Sequence, residues 1–371
     1  MSCYCELEHM PPTEESVIVS TGHGPVTRDF IAYGPPSSTV PSAYVLVLHG
    51  SLKLSSNELL APARYMAGAM VGRFDWHNDA AVLFLAGRAV GGGFFCWGAG
   101  NDNGLCTAAV DNEDETFVLS VLEWLPWPQA PVYLYGFSGG ARMAWRLACN
   151  ATVASRLSAI AAVSGLLPSA IRGAPSSCDL SAMPPVLVLH GTSDGISHVS
   201  EADESTSWLG EYASCERASI PDLRVGETTA DLRLWGDCQE ASRLSSLAYY
   251  RIINGQHKTP AASWLDAIWS FWVSGGAEVP GLSVAQHPGS VAWWVILVAV
   301  GGSIVLLAVA TMCWNVQMGG STSGAAPVHI TGMPTSTKDH AAAANPAGGG
   351  ESPDSLEDDA SSSSSINCPG V

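Results

Sequence analysis

Along residues 17–275 short apolar runs alternate with longer stretches whose apolar positions recur at helical spacing. The short runs occur at Tyr44–Leu48, Ala81–Leu85, Val132–Tyr135, Ala159–Val163, Val186–Leu189 and Tyr249–Ile253, the last carrying one polar residue, Arg251. Runs of this length without regular polar alternation predict strands buried on both faces. Between several of them lie longer stretches with apolar residues at helical spacing: Ala61–Val71, Asp114–Leu125, Gly140–Cys149 and Ala262–Val273. Strand–helix alternation predicts an α/β fold, a mostly parallel sheet with helices on both faces. No internal repeat is read.

The pattern changes at the ends. Residues 1–16 are polar and irregular. Residues 291–314 contain no charge and carry Trp293, Trp294 and Trp314 near their two ends. That length spans a bilayer as a helix, and Trp suits the interfaces. Residues 315–371 are rich in Gly, Ser, Ala, Pro and Thr and end in a five-Ser run; such a tail is expected to be disordered. The domains read are therefore an irregular N-terminus (1–16), a folded domain (17–280), a transmembrane helix (291–314) and the tail.

Composition narrows the function. Of 371 residues, 47% are hydrophobic and 13% charged, enough apolar material for a sizeable core. The net charge is −18. Six acids and one Lys lie beyond residue 314, leaving 28 acids against 15 basic residues before it. No basic cluster exists for a nucleic-acid backbone or an anionic lipid surface, so nucleic acid is excluded as a partner and neutral substrates fit the charge better.

Six of the ten Cys are dispersed in the folded part: Cys96, Cys106, Cys149, Cys178, Cys215 and Cys238. None has the close spacing of a zinc site, and a dispersed even set suggests disulfides and an oxidising compartment. The sequon Asn150-Ala-Thr152 is a glycosylation candidate that points the same way. Residues 1–15 show no secretory signal, so export is expected to depend on the 291–314 segment or on sequence ahead of Met1. The disulfide reading puts residues 1–290 outside the cell or in a lumen.

The chemistry centres on residues 132–148, where an apolar strand runs into Gly136-Phe-Ser138-Gly-Gly140 and then into a helix. Gly-x-Ser-x-Gly in that setting is a nucleophile elbow. The small residues allow strand and helix to approach, and the helix N-terminus favours developing negative charge at the Ser. Gly139 N–H is one expected oxyanion donor. A hydroxyl needs a base, and the base an orienting acid. In this arrangement the order is Ser, acid, His. Asp194, after the apolar run 185–190, is the expected acid, with Asp203 as fallback. His257, in Gly-Gln-His-Lys-Thr-Pro between a strand and the helix from Ala262, is the expected base, with His198 as runner-up. His190 belongs to a strand end, and His287 lies beside the apolar segment. The loop His49-Gly50-Ser51 should supply the second oxyanion N–H, from Ser51 or Leu52, with His49 structural.

Other features rank lower. Gly91-Gly-Gly93 lacks the Lys-Ser/Thr of a phosphate loop. Asp111, Glu113, Asp114 and Glu115 are read as a helix start. Trp208, Trp235 and Trp264 could line a substrate pocket or fill the core. The chemistry requires no metal or cofactor.

These motifs, in this order, resemble α/β-hydrolase serine esterases of the polyhydroxybutyrate depolymerase, feruloyl esterase and acetylxylan esterase group. The matching stretches are Leu48-His-Gly50, Gly136–Cys149, His190–Asp194 and Gly255–Pro260, and the likeness covers roughly residues 25–275. The resemblance implies a serine carboxylesterase working through an acyl-enzyme on a small or polymeric ester. It also implies Cys96 paired with Cys106 and Cys215 with Cys238, leaving Cys149 with Cys178. Two departures border the site: Ile196-Ser-His198 after the acid, and Gln256-His-Lys258 around the base. Polymer or feruloyl specificity is therefore not carried over. A catalytically inactive binding module at a membrane, or a hydrolase of peptides or thioesters, is the alternative reading.

Overall fold

The computed structural model describes residues 12–35, 39–54, 58–70, 79–91, 94–99, 113–238, 243–279 and 281. The expected transmembrane helix (291–314), the tail and Cys106 lie outside these residues. Among the described residues no helix is long and apolar enough to cross a membrane.

The strands are β1 (Thr13–Thr21), β2 (Gly24–Tyr33), β3 (Tyr44–Leu48), β4 (Leu52–Lys53), β5 (Ala81–Leu85), β6 (Arg88–Gly91), β7 (Phe94–Cys96), β8 (Val132–Phe137), β9 (Ala159–Val163), β10 (Val186–Gly191), β11 (Glu216–Val225), β12 (Thr228–Gly236) and β13 (Leu247–Ile252). The helices are α1 (Ala61–Met70), α2 (Glu113–Trp124), α3 (Gly139–Cys149), α4 (Ala151–Ala154), α5 (Ser169–Gly173), α6 (Val199–Tyr212) and α7 (Ala262–Val273). Ten strands form one sheet in the order β1-β2-β5-β3-β8-β9-β10-β13-β12-β11. Its centre is parallel: β5 pairs β3, β3 pairs β8, β8 pairs β9, β9 pairs β10 and β10 pairs β13. β2 and β12 join its two sides antiparallel.

The central strands read as unbroken apolar runs because each serves two cores. In β3, Tyr44, Leu46 and Leu48 pack with residues of α2 and α3, while Val45 and Val47 pack with α1 and α7. β8 divides the same way, Val132 and Leu134 against Tyr133 and Tyr135. Successive side chains of a strand point to opposite faces, so a sheet covered on both faces needs apolar residues at every position.

Several elements depart from the sequence-based expectation. The sheet takes in Thr13–Ser16, placed above in an irregular N-terminus, because β1 pairs β2 residue for residue from Thr13↔Ala32 to Thr21↔Gly24. β1 has an exposed, alternating pattern that a search for buried runs passes over. The β11–β12 hairpin and the small sheet β4-β7-β6 were likewise not anticipated.

Glu113, Asp114 and Glu115 do start a helix, α2, and they also hold arginines; Asp111 lies outside the described residues. Arg28 of β2 bridges Glu113 and Asp114 at 2.8 Å each, with its side chain 8% exposed. Arg146 of α3 pairs with Glu115 and donates to Gly98 O at 2.8 Å. Asn150 donates Nδ2 to Glu115 at 2.7 Å, and its Oδ1 caps α4 by accepting from Thr152 and Val153 N–H. The sequon nitrogen is thus engaged in the folded chain. Cys149–Cys178 and Cys215–Cys238 are disulfides, and Cys96 is disulfide-bonded as well.

Candidate active site

β8, β9, β10 and β13 are adjacent and parallel, so their carboxyl ends share one edge, where loops meet most readily around a ligand. Ser138 sits there, between β8 and α3. Its backbone is in the left-handed half of φ space (φ 52°, ψ −116°). Such a conformation persists only when its surroundings hold it. Ser138 N–H donates to Val163 O at 2.8 Å, and Ser138 O accepts from Ala141 and Arg142 N–H at 3.0 and 3.1 Å. A Cβ on Gly136 would overlap the Gly140 carbonyl, and one on Gly140 would overlap the Leu48 and His49 carbonyls. The two glycines of the motif are therefore required by close packing of β8, α3 and the end of β3.

The acid and base loops are stitched together before any side chain is considered. Thr192 N–H donates to Ile252 O at 2.9 Å, Ser193 N–H to Gly255 O at 2.8 Å, and Asn254 N–H to Thr192 Oγ1 at 2.9 Å. This fixes the loop after β10 against the loop after β13. Asp194, buried, accepts at Oδ1 from Ile196 and Ser197 N–H at 2.9 and 2.8 Å. Its Oδ2 accepts from His257 Nδ1 at 2.8 Å. His257 Nε2 lies 2.9 Å from Ser138 Oγ. The ring leans on Phe137, with centroids 5.3 Å apart. Three side chains separated by up to 119 residues therefore form one continuous hydrogen-bonded line.

Of the expected oxyanion donors, Gly139 and Ser51 come together: a Cβ on Gly139 would lie 3.1 Å from Ser51 N. Among the described residues neither N–H donates to a protein acceptor. Leu52 instead pairs with Phe95 in the β4–β7 ladder. His49 is buried; its Nδ1 donates to Gly50 O at 2.6 Å and its Nε2 accepts from Gly87 N–H at 2.8 Å. Burial pushes its pKa down to about 4, against the opposing pull of the Gly50 carbonyl.

The fallback residues are placed elsewhere. Asp203 on α6 pairs with Arg233 and Arg251 at 2.9 and 3.1 Å and accepts from Tyr249 OH at 3.0 Å. His198 is exposed at the start of α6. Of the three Trp residues considered, Trp235 and Trp264 are buried and Trp208 stacks on Tyr212. Sequence reasoning placed His190 at a strand end, as β10 has it, but did not see how near it comes to the acid. It is fully buried, with Nε2 2.7 Å from Ser197 O and 3.5 Å from Asp194 Oδ2. A signal existed: Val-Leu-Val-Leu-His-Gly occurs at both 45–50 and 186–191.

A cavity of about 180 Å³ lies behind the base loop, lined by Ser164, Ile252, Gln256, Lys258 and Trp264 among others. A larger cleft, about 310 Å³ with Tyr44, Trp124 and Trp127 in its walls, sits at the amino-terminal ends of the strands. It is at the wrong edge of the sheet for Ser138.

The sheet order and the turn from β8 into α3 have the arrangement of the α/β-hydrolase fold, with Ser138 on that turn followed in the chain by Asp194 and then His257. No family model and no curated protein matches the chain. Among solved structures it is similar to an α/β serine hydrolase without a lid from Xanthomonas campestris, at 17% identity and a TM-score of 0.39 over 74% of this chain and 99% of that one. It is also similar to S-formylglutathione hydrolase of Staphylococcus aureus (14%, 0.41, 72% and 99%) and acyl-protein thioesterase 2 of Zea mays (17%, 0.42, 67% and 99%).

Proposed function

We propose that this protein is a serine hydrolase that cleaves carboxylic esters through an acyl-enzyme, with Ser138 as nucleophile, His257 as base and Asp194 as orienting acid. The observation that carries the reading is the unbroken line Asp194 Oδ2–His257 Nδ1, His257 Nε2–Ser138 Oγ. It also favours an enzyme over an inactive binding module, for which no such alignment is needed.

Ser138 Oγ attacks the ester carbonyl as His257 Nε2 takes its proton. The tetrahedral oxyanion falls between Gly139 and Ser51 N–H, beside the α3 N-terminus. Asp194 keeps Nδ1–H directed at itself and steadies the imidazolium. His257 then returns the proton to the leaving alkoxide, and water releases the acid by the same steps in reverse. Between β9 and β10 the chain holds only α5 and a short 3₁₀ turn at Pro175–Ser177. That leaves no cap domain between these two strands, which suits an ester presented on a larger molecule as well as a small one.

The proposal includes a membrane tether over residues 291–314. Its support is the uncharged run with Trp near both ends. The test of the reaction is hydrolysis of p-nitrophenyl acetate by the native chain and by Ser138→Ala.

A further inference from the structure

The same hexapeptide, Val-Leu-Val-Leu-His-Gly, forms β10 and runs from β3 into the loop that follows it, and both histidines are fully buried. Their rings differ in what they satisfy. His49 uses both nitrogens, one as donor to Gly50 O and one as acceptor from Gly87 N–H. It is a strut beneath the loop that carries Ser51.

His190 uses only one. Its Nε2–H donates to Ser197 O at 2.7 Å, while its buried Nδ1 faces no partner among the described residues. An orphaned ring nitrogen is unfavourable in a core, and each such group calls for a reason. An apolar side chain would end β10 without the orphan. What it could not do is hold the Ser197 carbonyl. Ser197 N–H is one of the two donors that clamp Asp194 Oδ1. The ring therefore grips the acid loop at the residue that grips the acid.

We propose that His190 is a positioning residue for the hydrolase reaction: its ring fixes Ser197, and through Ser197 holds the Asp194 carboxylate in line with His257. This rests on the function proposed above.

Neutrality is part of the role. His190 Nε2 and His257 Nδ1 approach the same oxygen, Asp194 Oδ2, at 3.5 and 2.8 Å. A cationic His190 would compete for that carboxylate and repel an imidazolium at 257. Burial pushes the His190 pKa down, and the His257 charge does too. The Ser197 carbonyl, Asp194 and Asp203 pull it up, Asp203 less freely because Arg233, Arg251 and Tyr249 share its charge.

The test compares full-length native protein with His190→Gln, His190→Asn and His190→Leu. Gln can place an amide N–H where Nε2 stands; Asn is too short, and Leu has no donor. The readouts are kcat and KM for p-nitrophenyl acetate, and the rate of Ser138 labelling by a fluorophosphonate. For Asn and Leu, kcat and the labelling rate should fall roughly 10- to 100-fold with KM within about twofold, as expected for lost transition-state alignment. Gln should restore both rates to within about threefold of native. The proposal is overturned if Asn or Leu keeps the native kcat. It is equally overturned if Gln falls as far as the others, or if the loss appears in KM and not in kcat, since either marks plain packing. If Leu fails to fold, Gln against Asn decides. If Ser138→Ala labels as fast as native protein, the hydrolase reading fails, and this proposal with it.

Discussion

Asp194 Oδ2 and His257 Nδ1 lie 2.8 Å apart although 63 residues separate them in the chain. The contact follows from topology. β10 and β13 are parallel neighbours in register, Gly191 opposite Ile252, so the loops that follow them start side by side. Three loop-to-loop hydrogen bonds from Thr192, Ser193 and Asn254 then remove the remaining freedom.

The first prediction concerns the acid. Asp194→Asn should lower kcat about 10³- to 10⁴-fold, because an amide no longer holds the His257 tautomer or steadies its charge. Asp203→Asn and His198→Ala should stay within about threefold of native kcat, since Asp203 is committed to Arg233 and Arg251 and His198 stands apart at the start of α6. Steady-state kinetics on p-nitrophenyl acetate separates the two groups. Loss of activity in Asp203→Asn with Asp194→Asn unaffected would reverse the assignment.

Much of this site was legible in the sequence, for definite reasons. The elbow needs small residues at 136 and 140, and that requirement leaves a readable motif. Asp194 and His257 each follow an apolar strand, so their place at the sheet edge follows from the strand pattern. The β1–β2 hairpin was not legible, because its polar, exposed strands imitate an irregular terminus. Nor was the choice between Ser51 and Leu52, which turns on where a two-residue strand begins. His190 was passed over because burial and a loop carbonyl decide its role, and neither shows in linear order.

Packing at the elbow gives a second prediction. Gly136→Ala should destabilise the fold by about 3 kcal/mol or more, since the methyl meets backbone and not a side chain that can move. Denaturant unfolding with a comparison at Gly68, where a Cβ meets nothing within 4 Å, checks it. Gly68→Ala should be neutral or slightly stabilising, as is usual inside a helix.

The buried ion pair gives a third. Arg28→Met should cost about 3–5 kcal/mol, because Glu113 and Asp114 would lose the cation they share; among the described residues Arg88, 3.4 Å from Glu113, and the Gly98 N–H, 2.6 Å from Asp114, would remain to answer their charge. A change in thermal unfolding no larger than that of an exposed Arg64→Met would contradict this; Arg64 pairs with Glu14 and Glu58 on the surface.

Stability should also depend on pH through His49. Its folded pKa, about 4, lies below the unfolded value of 6.5. Between those values the unfolded chain binds the proton and the folded chain does not. The His49 contribution is therefore intact above pH 6.5 and is lost as pH falls toward 4, at up to about 1.4 kcal/mol per pH unit. Thermal melts from pH 7 to 4.5 should show the decline, and His49→Gln should flatten it. An unchanged slope in His49→Gln would assign the acid sensitivity to other groups.

The most direct test of the central claim is fluorophosphonate labelling of the full-length protein at neutral pH, with the modified residue located by peptide mapping. The account predicts one label on Ser138, absent in Ser138→Ala and slowed at least about 10³-fold in His257→Ala. Labelling that persists in Ser138→Ala, or native protein that takes up no label, would contradict it.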